Sequence, residues 1–162
     1  MANPILRNKI ADYLDVGSTT PSFALCGVGF NTLDENPGAQ MDTKTYINET
    51  EASTTIKGYQ STFPFDTDLI ADEEAILKIY EIGRSRLTGE AAMVDYVRVD
   101  LFDPAVSPEG SYAARKFKVS VEVAGNAGAG GEAIKLTGNF HAFGSPVEGT
   151  FDPTTKAFVA NA

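Results

Sequence analysis

A chain of 162 residues with 43% hydrophobic and 22% charged side chains has the make-up of an ordinary globular domain, and two independent cores would leave both halves small. Its single cysteine, Cys26, excludes an internal disulfide; no apolar run has bilayer-spanning length and no basic-then-apolar leader opens the chain, so folding in the cytosol away from any membrane is the default expectation. The formal charge of −9 disfavours tight binding of nucleic acid around the outside, although like-charge repulsion suits a surface past which nucleic acid must move without sticking.

Residues 1–22 read as an irregular N-terminal arm closed by the turn-rich GSTTP at Gly17 to Pro21. Residues 23–30 read as a strand in which Gly27 and Gly29 allow a bend. Residues 31–45 are polar around Asn36, Pro37 and Gly38 and read as a long loop. The threonine-rich stretch 46–65, with Ile56, Tyr59, Phe63 and Phe65, supplies one or two strands. A helix is predicted over 72–86, capped by Asp72, with Glu73 and Glu74 at its positive end and Arg84 and Arg86 at its negative end. Its apolar stripe is Ile76, Ile79, Tyr80 and Gly83, and Glu74 and Lys78 stand at i, i+4. Such a short helix must pack on a sheet.

Strands fill the second half. In residues 93–102, Val97, Val99 and Leu101 share one parity and Arg98 and Asp100 the other. Residues 112–123 alternate most cleanly, Phe117, Val119, Val121 and Val123 against Lys116, Lys118, Ser120 and Glu122. After a glycine-rich connection at 125–131, Ile134, Leu136 and Phe140 resume the pattern, and a last hairpin carries Val147, Phe151, Phe158 and Val159. The class expected is mainly β: a single domain over 1–162, an antiparallel sandwich or barrel with one flanking α-helix.

Chemistry has little to stand on. His141, the one histidine, shares the parity of Lys135, Thr137 and Asn139 and reads as a surface or interface residue. The segment GNAGAGGEA lacks the Gly-Lys-Ser/Thr ending of a phosphate loop and lies between two strands, so it reads as a hairpin tip. Asp66, Asp68, Asp72, Glu73 and Glu74 lack EF-hand spacing, and helix capping accounts for the last three. No catalytic residue, metal ligand or cofactor is assigned, and the chain is expected not to be an enzyme.

In order, KIADYLDVG, FALCGVGF, a polar loop, TYINETEASTTIKGYQSTFPF, the acidic-led helix DTDLIADEEAILKIYEIGRSRLTGE and MVDYVRVDLF make a distinctive layout. From about Lys9 to Phe151 it resembles the major tail proteins, or tail tube proteins, of long-tailed phages and prophages of Gram-positive bacteria. The resemblance implies a virion structural protein, assembled in the host cytoplasm and resident in the virion tail. Its hexameric rings stack into a tube for DNA ejection, with tape-measure and tail-tip or terminator proteins as further partners and double-stranded DNA in transient passage. It also implies that residues 2–17 and 31–45 bridge rings, through Ile5, Leu6, Ile10, Tyr13, Leu14, Leu33, Asn36, Pro37 and Met41. Glu49, Glu51, Asp95 and Asp100 are the lumen candidates it suggests. The rival expectation is a binding module, carbohydrate-binding or capsid-decorating, although the chain has no tryptophan and scatters its tyrosines.

Overall fold

Residues 112–127, where alternation is cleanest, form the strand on which the rest is hung. In the computed structural model, which describes residues 2–161, the chain runs β1 (Ile10–Asp15), β2 (Phe23–Leu25), β3 (Phe30–Leu33), β4 (Ala39–Lys44), β5 (Ser53–Tyr59), β6 (Thr62–Asp68), α1 (Glu74–Arg84), β7 (Met93–Pro104), β8 (Tyr112–Ala127), β9 (Lys135–Ala142), β10 (Val147–Asp152) and β11 (Ala157–Ala160). One antiparallel sheet in the order β2-β1-β7-β8-β9-β6-β3 curls into a half-barrel. It forks at β8, whose first residues pair with β10 (Lys116 with Val147) and whose later ones pair with β9 (Val121 with Phe140). The mainly β class with one flanking helix is as the sequence predicts.

Alternation sorts the side chains into two cores. On the concave face Leu14, Phe63, Phe65, Tyr96, Phe117, Val119, Leu136 and Phe140 meet Ala75, Ile76, Ile79 and Ile82 of α1. Phe63 stands edge-on to Tyr96 and Phe117, its ring centre 4.8 and 4.9 Å from theirs. Such edge-to-face pairs add about 0.5–1.5 kcal/mol to area burial. The opposite parity of the same strands gathers Tyr13, Phe23, Val97, Val99, Ala114 and Phe151 into a second core. Strands covered on both faces explain why residues 93–99 look polar on one parity and yet are mostly buried.

Four expectations need correction. Part of the N-terminal arm is a sheet member, since β1 lies between β2 and β7. Residues 23–30 hold two short strands separated by a turn at 26–29. The helix is shorter than 72–86: Glu73, with extended backbone, precedes it and makes no side-chain cap bond, so Asp72 does not cap it. Glu74 and Lys78 form no ion pair among the described residues. Gly83 does what a small residue at the end of the stripe should: a Cβ there would come within 2.8 Å of Val123, so its absence sets how closely α1 lies on β8. The fourth correction concerns residues 31–45. They are a strand end, a short connection and β4, which pairs with β5 as a separate two-stranded sheet.

Candidate functional site

The β4–β5 hairpin continues the β3–β6 pair past the edge of the body. Leu33 pairs with Phe65, Asn36 and Thr62 exchange backbone hydrogen bonds of 2.8 and 2.9 Å, and Ala39 pairs with Tyr59. Gly38 makes the connection possible: its φ is +65°, and a Cβ would sit 2.1 Å from the carbonyl oxygen of Gln60. Beyond this root the ribbon extends by about 20 Å at the usual rise per residue. Only Ala39, Asp42 and Gly58 of its strands are even half-buried. Met41, Tyr46, Ile47, Ile56 and Tyr59 are exposed, Ile47 completely so. Isolated two-stranded hairpins are marginal in water, and an uncovered apolar cluster marks a surface that meets something. Apart from the backbone ladder, side-chain bonds between described residues of the ribbon are few: the Thr43 and Thr54 hydroxyls lie 3.1 Å apart, Lys44 and Asp42 are 3.7 Å apart, and Gln40 donates to the Gly38 carbonyl.

Inside the body a charged network fixes the root. Arg115 of β8 donates two hydrogen bonds, 2.7 and 2.8 Å, to the two carboxylate oxygens of Glu35, just before the hairpin. These bonds hold the Glu35 carboxyl below its ordinary range despite burial. Arg98 of β7 lies 3.7 Å from the same carboxylate and 3.2 Å from Asp12 of β1, while the Tyr96 hydroxyl also donates to Asp12. Burial pushes the Tyr96 phenol well up, so it stays protonated and a donor. Arg7 donates to Asp12 at 2.8 Å and to the Leu33 carbonyl at 2.9 Å, joining β1 to β3. Four side chains from the arm, β7 and β8 thus converge on two carboxylates, Asp12 of β1 and Glu35 at the hairpin root. A bidentate guanidinium clasp fixes direction as well as distance.

A third feature is the convex face of β3, β6, β9 and β8. Register places Thr32 beside Asp66, Asp66 beside Thr137, Asn139 beside Glu122, and His141 between Thr62 and Ser120. His141 Nε2 lies 2.7 Å from Glu122, which also accepts from Asn139; these two contacts hold the Glu122 carboxyl below its usual range. The face is polar, and its terminal Lys135 is paired with Asp68 at 3.0 Å. Cys26 is buried, and burial pushes its thiol well up.

The predicted residues scatter over these features. Ile5, Leu6, Asn36, Pro37 and Met41 are exposed and Ile10 is half-buried. Tyr13, Leu14 and Leu33 are core side chains, and burial withdraws them as contact residues. Glu49 and Glu51 lie at the hairpin tip. Asp95 and Asp100 have opposite parity on β7 and face opposite sides, so they cannot line one wall together. Asp100 shares the face of Arg98, and burial raises its carboxyl. Glu35, Arg98, Arg115 and Asp12 escaped sequence reading; the signal was Arg98 at a polar-parity position in a strand otherwise too apolar to be one-sided.

No family model and no curated protein matches the chain. Among solved structures, a chain of the cryo-electron-microscopy structure of the anti-feeding prophage (AFP) baseplate, 6-fold symmetrised, is similar in fold, with a TM-score of 0.51 and 8% identity over 94% of this chain and 98% of that one. At that identity the likeness is one of fold.

Proposed function

We propose that this chain is a non-enzymatic virion structural protein that assembles with copies of itself into stacked hexameric rings forming a phage tail tube. The observation that carries the reading is the hairpin: its root is locked to the body by Glu35 and Arg115, while Met41, Tyr46, Ile47, Ile56 and Tyr59 are left without cover. A surface that is rigidly held and apolar fits a constitutive contact between subunits. The fold likeness to a chain of a six-fold prophage assembly supports the same reading. Hexameric closure, passage of DNA, and partnership with tape-measure and tail-tip proteins belong to the proposal.

Within it, the convex polar face is the wall that double-stranded DNA passes. Glu122 and Asp66 supply negative charge, Lys135 is paired with Asp68 and His141 with Glu122, so the β3, β6 and β9 part of this face offers phosphates no unpaired lysine. Glu49 and Glu51 on the hairpin, and Asp100 on the concave side, then serve elsewhere.

Negative-stain electron microscopy across a concentration series tests the proposal. Rings or hollow tubes are expected. Monomers at every concentration, including with a tail-tip complex present, would sink it. A binding module is the second reading, favoured by a cleft of about 630 Å³ beside the hairpin root, bordered by Pro37, Tyr59, Arg115, Phe117 and Pro146. Thermal stabilisation by a sugar panel is its test.

A further inference from the structure

We infer that the hairpin tip of one copy docks into a lysine-rimmed recess on the convex side of β8 in a second copy. This rests on the self-assembly reading and adds the receptor to it. The recess, about 360 Å³, is bordered by Pro21, Phe23, Asp95, Lys116, Lys156 and Phe158. Its apolar part is the Phe23 and Phe158 side of the second core, and the Lys116 ammonium stands 5.3 Å over the Phe158 ring.

Charge selects the occupant. The chain has 22 acidic against 13 basic side chains, and Arg7, Lys44, Arg98, Arg115 and Lys135 are already in ion pairs. Lys116 and Lys156 have no ion-pair partner among the described residues, and Lys118 follows on the same face of β8. Asp95 is the carboxylate in the recess, and it lies across from Lys118 in the β7–β8 register. The matching surface is the tip, where Tyr46 and Ile47 are exposed and Glu49 and Glu51 follow within one turn of chain. Apolar tip meets apolar floor, and carboxylates meet ammonium groups on the rim. The recess between Gly83, Arg84 and Val123 also has a cation but is smaller, about 220 Å³, and offers a single charge.

Arg115 and Lys116 are consecutive on β8 and point to opposite faces. Each copy therefore holds its own hairpin root on one side and offers the recess on the other. A contact of this kind is head-to-tail, which closes rings or extends filaments.

The test reverses charge on each side separately and then together, reading the concentration of half-assembly by light scattering and sedimentation. Glu49→Lys with Glu51→Lys, and Lys116→Glu with Lys156→Glu, should each raise it by about tenfold or more, and the four-fold variant should return to within about threefold of the unmodified chain. The tip substitutions lie on exposed chain and should leave thermal melting unchanged. Should K116E/K156E melt early, Lys116→Gln with Lys156→Gln replaces it. A tip variant that assembles like the unmodified chain, or a four-fold variant no better than the single-sided ones, overturns the docking while leaving self-assembly intact. If the unmodified chain itself never associates, the assembly reading falls and the docking with it.

Discussion

The network around Asp12 and the β4–β5 hairpin are opposites. In the first, charged groups sit where apolar ones are expected: Asp12 is 1% exposed and Arg98 6%. In the second, Met41, Tyr46 and Ile47 sit where polar ones are expected. Buried charges must be matched within the chain, and here Arg7, Tyr96 and Arg98 all reach Asp12. Exposed apolar groups have no such remedy inside the monomer. The network therefore meets its own needs within one chain, whereas the hairpin leaves its apolar side chains uncovered.

The largest effect that would break this contrast is at Asp12. Asp12→Ala leaves Arg98 and the Tyr96 hydroxyl buried without their acceptor and should cost about 3–5 kcal/mol in chemical denaturation. A loss below about 1 kcal/mol would mean the network is dispensable. Next is Gly83→Ala. Helix propensity alone would gain about 1 kcal/mol, but the new methyl meets the stiff, β-branched Val123 at 2.8 Å. Overpacking of this kind costs about 1–3 kcal/mol, so a lowered melting temperature is expected; a rise would show that α1 can lift off β8 freely.

Glu35 ties the two regions together and titrates. Its folded-state pKa is lowered, chiefly by the hydrogen bonds from Arg115. The stabilisation is thus fully present above the unfolded value, about 4.3, and is lost as pH falls through the lowered folded value. Stability of Glu35→Gln should fall less steeply than that of the unmodified chain in this acid window; parallel curves would remove Glu35 from the linkage. The smallest effect on folding belongs to Ile47→Ser, within about 0.5 kcal/mol, yet the same change should weaken self-assembly. Unaltered assembly would show that the tip is idle.

How much of this could be read from the sequence follows from which signals burial leaves behind. The alternation of residues 117–123 marked β8 because one side meets a dense core. The helix showed its stripe for the same reason, although its true buried set includes Ala75 and Ile82 in place of Tyr80 and Gly83. The sequence ADYLD hid β1 because a strand covered on both faces, with its carboxylate Asp12 paired inside, does not alternate. β4 hid for the contrary reason: exposed along most of its length, it has no buried parity to display, and β5 beside it showed only through its threonines. Long-range pairings such as Glu35 with Arg115, separated by 80 positions, leave no local pattern.

The adjacency of Arg115 and Lys116 has a mechanical corollary. In a stack joined as proposed, force applied at one hairpin tip would enter the next copy at Lys116, cross a single peptide unit to Arg115, pass through Glu35 and leave along that copy's own hairpin. Such a path bypasses the aromatic interior. A tube built on it would owe its bending stiffness to the Glu35–Arg115 link more than to the core, so Glu35→Ala tubes should curve more sharply in micrographs.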